Sequence, residues 1–100
     1  MGNPLDFPDP GHIKREKEKA RKLRQSNWWQ NKLDIGECRY CGNKFKREAL
    51  TMDHVVPLAR GGTSAKRNVV VSCKECNNKK KYLTPAEIIL QEKLNQEIKF

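Results

Sequence analysis

The sequence predicts a small α+β domain, on three observations. Two Cys-x-x-Cys pairs, Cys38/Cys41 and Cys73/Cys76, bracket the middle of the chain. Between them, residues 50–56 and 68–72 read as a strand and its partner, joined by a loop rich in turn formers. Helical signals flank this middle on both sides.

Taken in order, residues 1–11 contain Pro4, Pro8, Pro10 and Gly11 and read as an extended arm. Residues 12–34 read as one basic helix, supported by i,i+4 pairs such as Glu18/Lys22. Its apolar stripe is thin, and Trp28, Trp29 and Leu33 are expected to dock its end on the core. Residues 35–83 form the central unit. There Gly42 supplies the tight turn of the first knuckle, and a short basic helix is expected to start near Asn77, just after the second. Residues 84–100 form the last helix, with Thr84 as N-cap, Pro85 at N1 and Glu87 at N3 in a capping box. Leu90, Leu94 and Ile98 share one of its faces.

One hundred residues allow a single domain near the size at which a core alone is marginal. Apolar residues make up 36% and charged residues 33% of the chain, so the fold needs a staple. Cysteines spaced Cys-x-x-Cys suit metal better than disulfides. Residues 1–10 lack the apolar region of a secretory signal, and no stretch approaches a membrane span. An intracellular, reducing compartment with no membrane partner is therefore expected.

Four thiolates, Cys38, Cys41, Cys73 and Cys76, make a closed tetrahedral set for structural zinc. Such a site leaves no open coordination position, so any catalysis needs other residues. The separation from Cys41 to Cys73 exceeds the roughly 15–20 residues of a compact ribbon. The inserted segment carries Asp53, His54 and Asn68. Asp53 suits a hard divalent metal, and His54 is a base that titrates near neutrality. Neighbours on a regular strand face opposite ways, so the two can share a site only near a strand end or bulge. Asn77, fixed by the adjacent zinc ligand, is expected at a helix N-terminus, which favours phosphate. Lys80 and Lys81 are placed on the same helical face, within reach of neighbouring phosphates.

Cys-x-x-Cys, Asp53-His54, Pro57, Gly61-Gly62, Asn68 and Cys73-x-x-Cys-Asn77-x-x-Lys80 fall in an order that resembles the HNH endonucleases of the four-cysteine, zinc-stapled kind. The resemblance covers roughly half the chain. It implies a ββα-metal core in which His54 activates water, Asp53 and Asn77 bind the catalytic metal, and Asn68 ties the loop that aims His54. Asn77 stands where the family name calls for His. A neutral oxygen ligand there suits magnesium or manganese better than zinc or nickel. The resemblance also implies a prokaryotic or phage source.

The formal charge is +9, about +7 once four thiolates and a zinc ion are counted, so an acidic partner is expected, DNA first. Lys14, Arg15, Arg21, Lys22 and Arg24 of the basic helix would add salt-dependent, sequence-independent affinity. The expected function is metal-dependent hydrolysis of DNA phosphodiesters, a monomer nicking one strand. A homodimer, or a larger nuclease or packaging partner, is compatible with it. The alternative is a zinc-ribbon module that binds nucleic acid without cutting it. Cysteines and charge fit both readings, whereas Asp53-His54 with Asn68 and Asn77 favours the enzyme.

Overall fold

A computed structural model of the chain describes residues 10–98, with side chains described as far as Leu94. Residues 1–9 of the expected arm, and the side chain of Ile98, lie outside the described residues.

Pro10 and Gly11 belong to helix α1 (Pro10–Arg24) and not to the arm, because proline at N1 gives up an N–H that has no intrahelical partner. The single helix expected over 12–34 is instead two. Helix α2 (Asn27–Ile35) starts afresh because the Ser26 side chain accepts from the Trp29 N–H at 3.2 Å, a cap that competes with continuing α1. Gly36 ends α2 with φ of 75°, and a Cβ there would meet the Phe45 carbonyl oxygen at 2.8 Å. This bend turns the Trp29 ring inward, where it is 2% exposed and packs with Leu50 and Val71. Trp28, Leu33, Phe45 and Met52 close around that cluster.

Strands β1 (Leu50–His54) and β2 (Val69–Cys73) pair antiparallel, with Leu50 opposite Cys73 and His54 opposite Val69. Both ladders differ in extent from the expected 50–56 and 68–72. The Val55 N–H still reaches the Asn68 carbonyl at 2.9 Å, but the Val56 N–H goes to the Asn68 side chain at 2.9 Å, which ends the pairing. The first knuckle braces the sheet edge, the Arg39 N–H donating to the Val71 carbonyl at 2.8 Å.

Helix α3 (Lys74–Lys80) follows β2 without a loop and packs on both strands. Its N-cap is Cys73, whose sulfur accepts from the Cys76 N–H at 3.4 Å. Helix α4 (Pro85–Ile98) begins with the expected reciprocal bonds between Thr84 and Glu87, and Arg60 pairs with Glu87 at 2.8 Å. Leu90 and Leu94 are exposed. Among the described residues, no helix is long and apolar enough to cross a membrane.

Candidate active site and metal centre

The four cysteines converge because each knuckle presents two thiols from one turn and β2 carries the second knuckle back to the first. Their sulfur atoms all lie within 4.8 Å of one another. A tetrahedron with ~2.3 Å metal–sulfur bonds has edges of about 3.8 Å, so one ion fits with small adjustment. Burial works to raise the Cys38 thiol, but the backbone N–H groups of Cys41, Cys73 and Tyr40 outweigh it and hold it down to about 6. Burial and the neighbouring thiols push Cys76 up to about 12. Four thiols so crowded cannot all ionise without a cation among them, and a donor set of this chemistry could hold one metal ion.

Beside this cluster, Asp53, His54 and Asn77 line one cleft of about 420 Å³, with Pro57 and Leu58 from the loop, Lys81 from the end of α3 and Lys17 from α1. His54 is the last residue of β1, as its sharing a site with Asp53 requires. The loop after it folds back tightly: the Gly62 N–H donates to the Pro57 carbonyl at 2.9 Å, and a Cβ on Gly62 would lie 1.8 Å from the Val56 carbonyl oxygen. Asn68 holds this loop through its amide, which donates to the carbonyls of Thr63 (2.7 Å) and Val56 (3.1 Å). Burial first, then Arg24 and Lys80, lowers the His54 pKa below the ordinary 6.5, against the pull of Asp53 and Glu16. The imidazole is therefore neutral at pH 7, as a base must be.

Two expectations about α3 need correction. Asn77 is not at a helix N-terminus, since Cys73, four residues earlier, caps α3 with its sulfur. Lys80 lines the cleft but is not set out on an exposed helical face. It is 5% exposed, and its ammonium lies 3.3 Å from the Asp53 carboxylate and donates to the His54 carbonyl at 2.8 Å. A helix that starts at Lys74 turns position 80 toward β1. Asp53 is also buried and accepts from the Tyr40 hydroxyl, whose pKa burial and Asp53 both raise. The Asp53 carboxylate and the Asn77 amide nonetheless line the same cleft, and both are oxygen donors of the type that hard ions take.

Lys81, exposed, lines the cleft. Lys14, Arg21 and Arg24 line a groove along α1 together with Lys17, which belongs to cleft and groove alike. Arg15 and Lys22 are exposed but do not line either. Sequence reasoning passed over Lys17, and also Tyr40, Glu16 and Ser64. The spacing of Lys14, Lys17, Arg21 and Arg24 by three or four marks one helical face and was the available signal. Tyr40, Glu16 and Ser64 had none, because their partners are remote in sequence. His12, given no role from sequence, bonds the Gly62 carbonyl at 2.9 Å and helps seat α1 on the loop.

Two short antiparallel strands and a helix, beside four clustered cysteines and an Asp-His pair, make up the segment whose sequence is similar to HNH endonucleases. The HNH endonuclease family model matches residues 38–82. A stretch of 45 residues is 40% identical to the CRISPR-associated endonuclease Cas9 of Corynebacterium diphtheriae, covering 44% of this chain. The chain spans 4% of that relative's length, so the likeness is to one domain of it.

Proposed function

We propose that the domain hydrolyses phosphodiester bonds of DNA, with His54 as general base, and that zinc fills the four-cysteine site as a structural ion. The observation that carries the reading is the convergence of Asp53, a neutral His54 and Asn77 on one cleft edged by lysines.

Asp53 and Asn77 would hold a hard divalent cation, magnesium or manganese, which when bound supplies positive charge to the scissile phosphate and the leaving oxygen. His54 takes a proton from water as the water oxygen bonds to phosphorus. The bond from phosphorus to the 3′-oxygen breaks in line and that oxygen takes a proton from solvent, leaving a 5′-phosphate and a 3′-hydroxyl. Asn68 keeps the loop from drifting off the strand end and so fixes where His54 stands. Lys17, Lys81 and the α1 groove lie where flanking phosphates would pass, and their contacts carry no sequence information. One such site cuts one strand, so a monomer nicks.

Plasmid nicking in magnesium or manganese tests the proposal, the native protein being compared with His54→Ala. The native protein should convert supercoiled to open-circular plasmid, and the variant should lose the roughly 10²–10⁴-fold that a general base supplies. Equal cleavage by both sinks the assignment of His54. DNA binding without cleavage by either, across divalent metals, supports the non-catalytic zinc module instead.

A further inference from the structure

The His54 ring is held from behind by a group that the hydrolytic reading does not use. Its Nε2 lies 3.0 Å from the Ser64 hydroxyl oxygen. That hydroxyl also lies 2.6 Å from the backbone carbonyl of Glu16, in α1. A carbonyl oxygen can only accept, so the one proton of Ser64 goes to Glu16. The Ser64 oxygen is then left as an acceptor, and Nε2 must be the donor.

We infer that Ser64, seated on α1, is a positioning residue that fixes His54 as its Nε2–H tautomer and leaves Nδ1 as the nitrogen that accepts the proton of water. The inference rests on His54 being the base. A neutral imidazole carries one N–H, so the bond made by one nitrogen decides the state of the other.

The seat is rigid for reasons of its own. Ser64 is 7% exposed, which keeps water from offering its hydroxyl a different partner. Its N–H donates to a Glu16 carboxylate oxygen at 2.7 Å, and the second carboxylate oxygen pairs with Lys19 at 3.0 Å. Glu16 is itself 5% exposed, and these partners account for a buried carboxylate facing the loop. Thr63, the neighbour of Ser64, is tied through its carbonyl to Asn68. Helix α1 thus has a part in the chemistry apart from any contact with DNA: it supplies the carbonyl that orients Ser64.

Two-bond ¹H–¹⁵N correlation spectra of the imidazoles in the zinc-loaded full chain, at a pH where His54 is neutral, read the tautomer directly. Protonated Nε2 and bare Nδ1 are expected. A wild-type spectrum with the proton on Nδ1 overturns the inference without any variant. Ser64→Ala should give mixed tautomers and lower kcat about 10-fold or more, within the roughly 10²–10⁴ that a general base contributes, while KM for DNA stays unchanged. A variant with the native spectrum and native kcat refutes the positioning role. The spectrum does not depend on cleavage, so a chain that fails to nick DNA yet shows the Nε2–H form disproves only the hydrolytic reading.

Discussion

Replacing Lys80 by Met should destabilise the domain by about 3–5 kcal/mol, the cost of leaving one partner of a buried ion pair alone. The side chains of Lys80 and Asp53 are each 4% exposed and 3.3 Å apart. At an effective dielectric of ~20 their attraction is about 5 kcal/mol, set against the desolvation of both ions. Methionine keeps most of the volume, so the loss reflects charge and the bond to the His54 carbonyl, with little contribution from a cavity. Urea unfolding at a fixed zinc concentration measures it, since bound metal otherwise shifts the midpoint by mass action. The midpoint should fall with the slope unchanged. Adding Asp53→Asn to Lys80→Met should recover a large part of the loss, because the stranded carboxylate is gone. A single variant within about 1 kcal/mol of native would refute the reasoning. So would a double variant whose loss is the plain sum of the two singles.

The other predictions rest on separate parts of the molecule. Removing zinc with a chelator, or Cys73→Ser, should abolish the fold, since structural zinc contributes on the order of 10 kcal/mol; a native circular dichroism spectrum after either change would remove the staple from the account. The acid limb of the nicking rate should lie below pH 6.5, because burial depresses the His54 pKa. The same shift bears on stability: as pH falls through 6.5 the unfolded imidazole takes a proton that the folded one refuses, so stability drops until the folded value is passed. Glu16, lowered chiefly by the Ser64 N–H, adds a second loss below pH 4.5. Thermal melts across pH should show both; a melting temperature flat between pH 7 and 5 would contradict the first. Lys17→Ala should weaken DNA binding alike for all sequences and reduce the salt slope by about 0.9, against no change for a residue off the phosphate path.

What the sequence determined by itself was local. Cys-x-x-Cys places two thiols on one turn, Thr84 and Glu87 find each other three residues apart, and a loop rich in turn formers sets off β1 and β2, so each needs only its near neighbours. The order of Asp53, His54, Asn68 and Asn77 along the chain carried the resemblance to HNH endonucleases. Tertiary structure decided everything that rests on distant partners. Ser26 cut the basic helix only where Trp29 gained a core to enter. Cys73 started α3 early because its sulfur capped the helix, and that start turned Lys80 away from solvent and onto Asp53, 27 residues back in the chain. Glu16 reached Ser64 across 48 residues and set the orientation of His54 from behind. A lysine reads as a surface charge and a serine as a loop residue until folding supplies the buried carboxylate or carbonyl that each must satisfy. Composition carries no record of which partner that is.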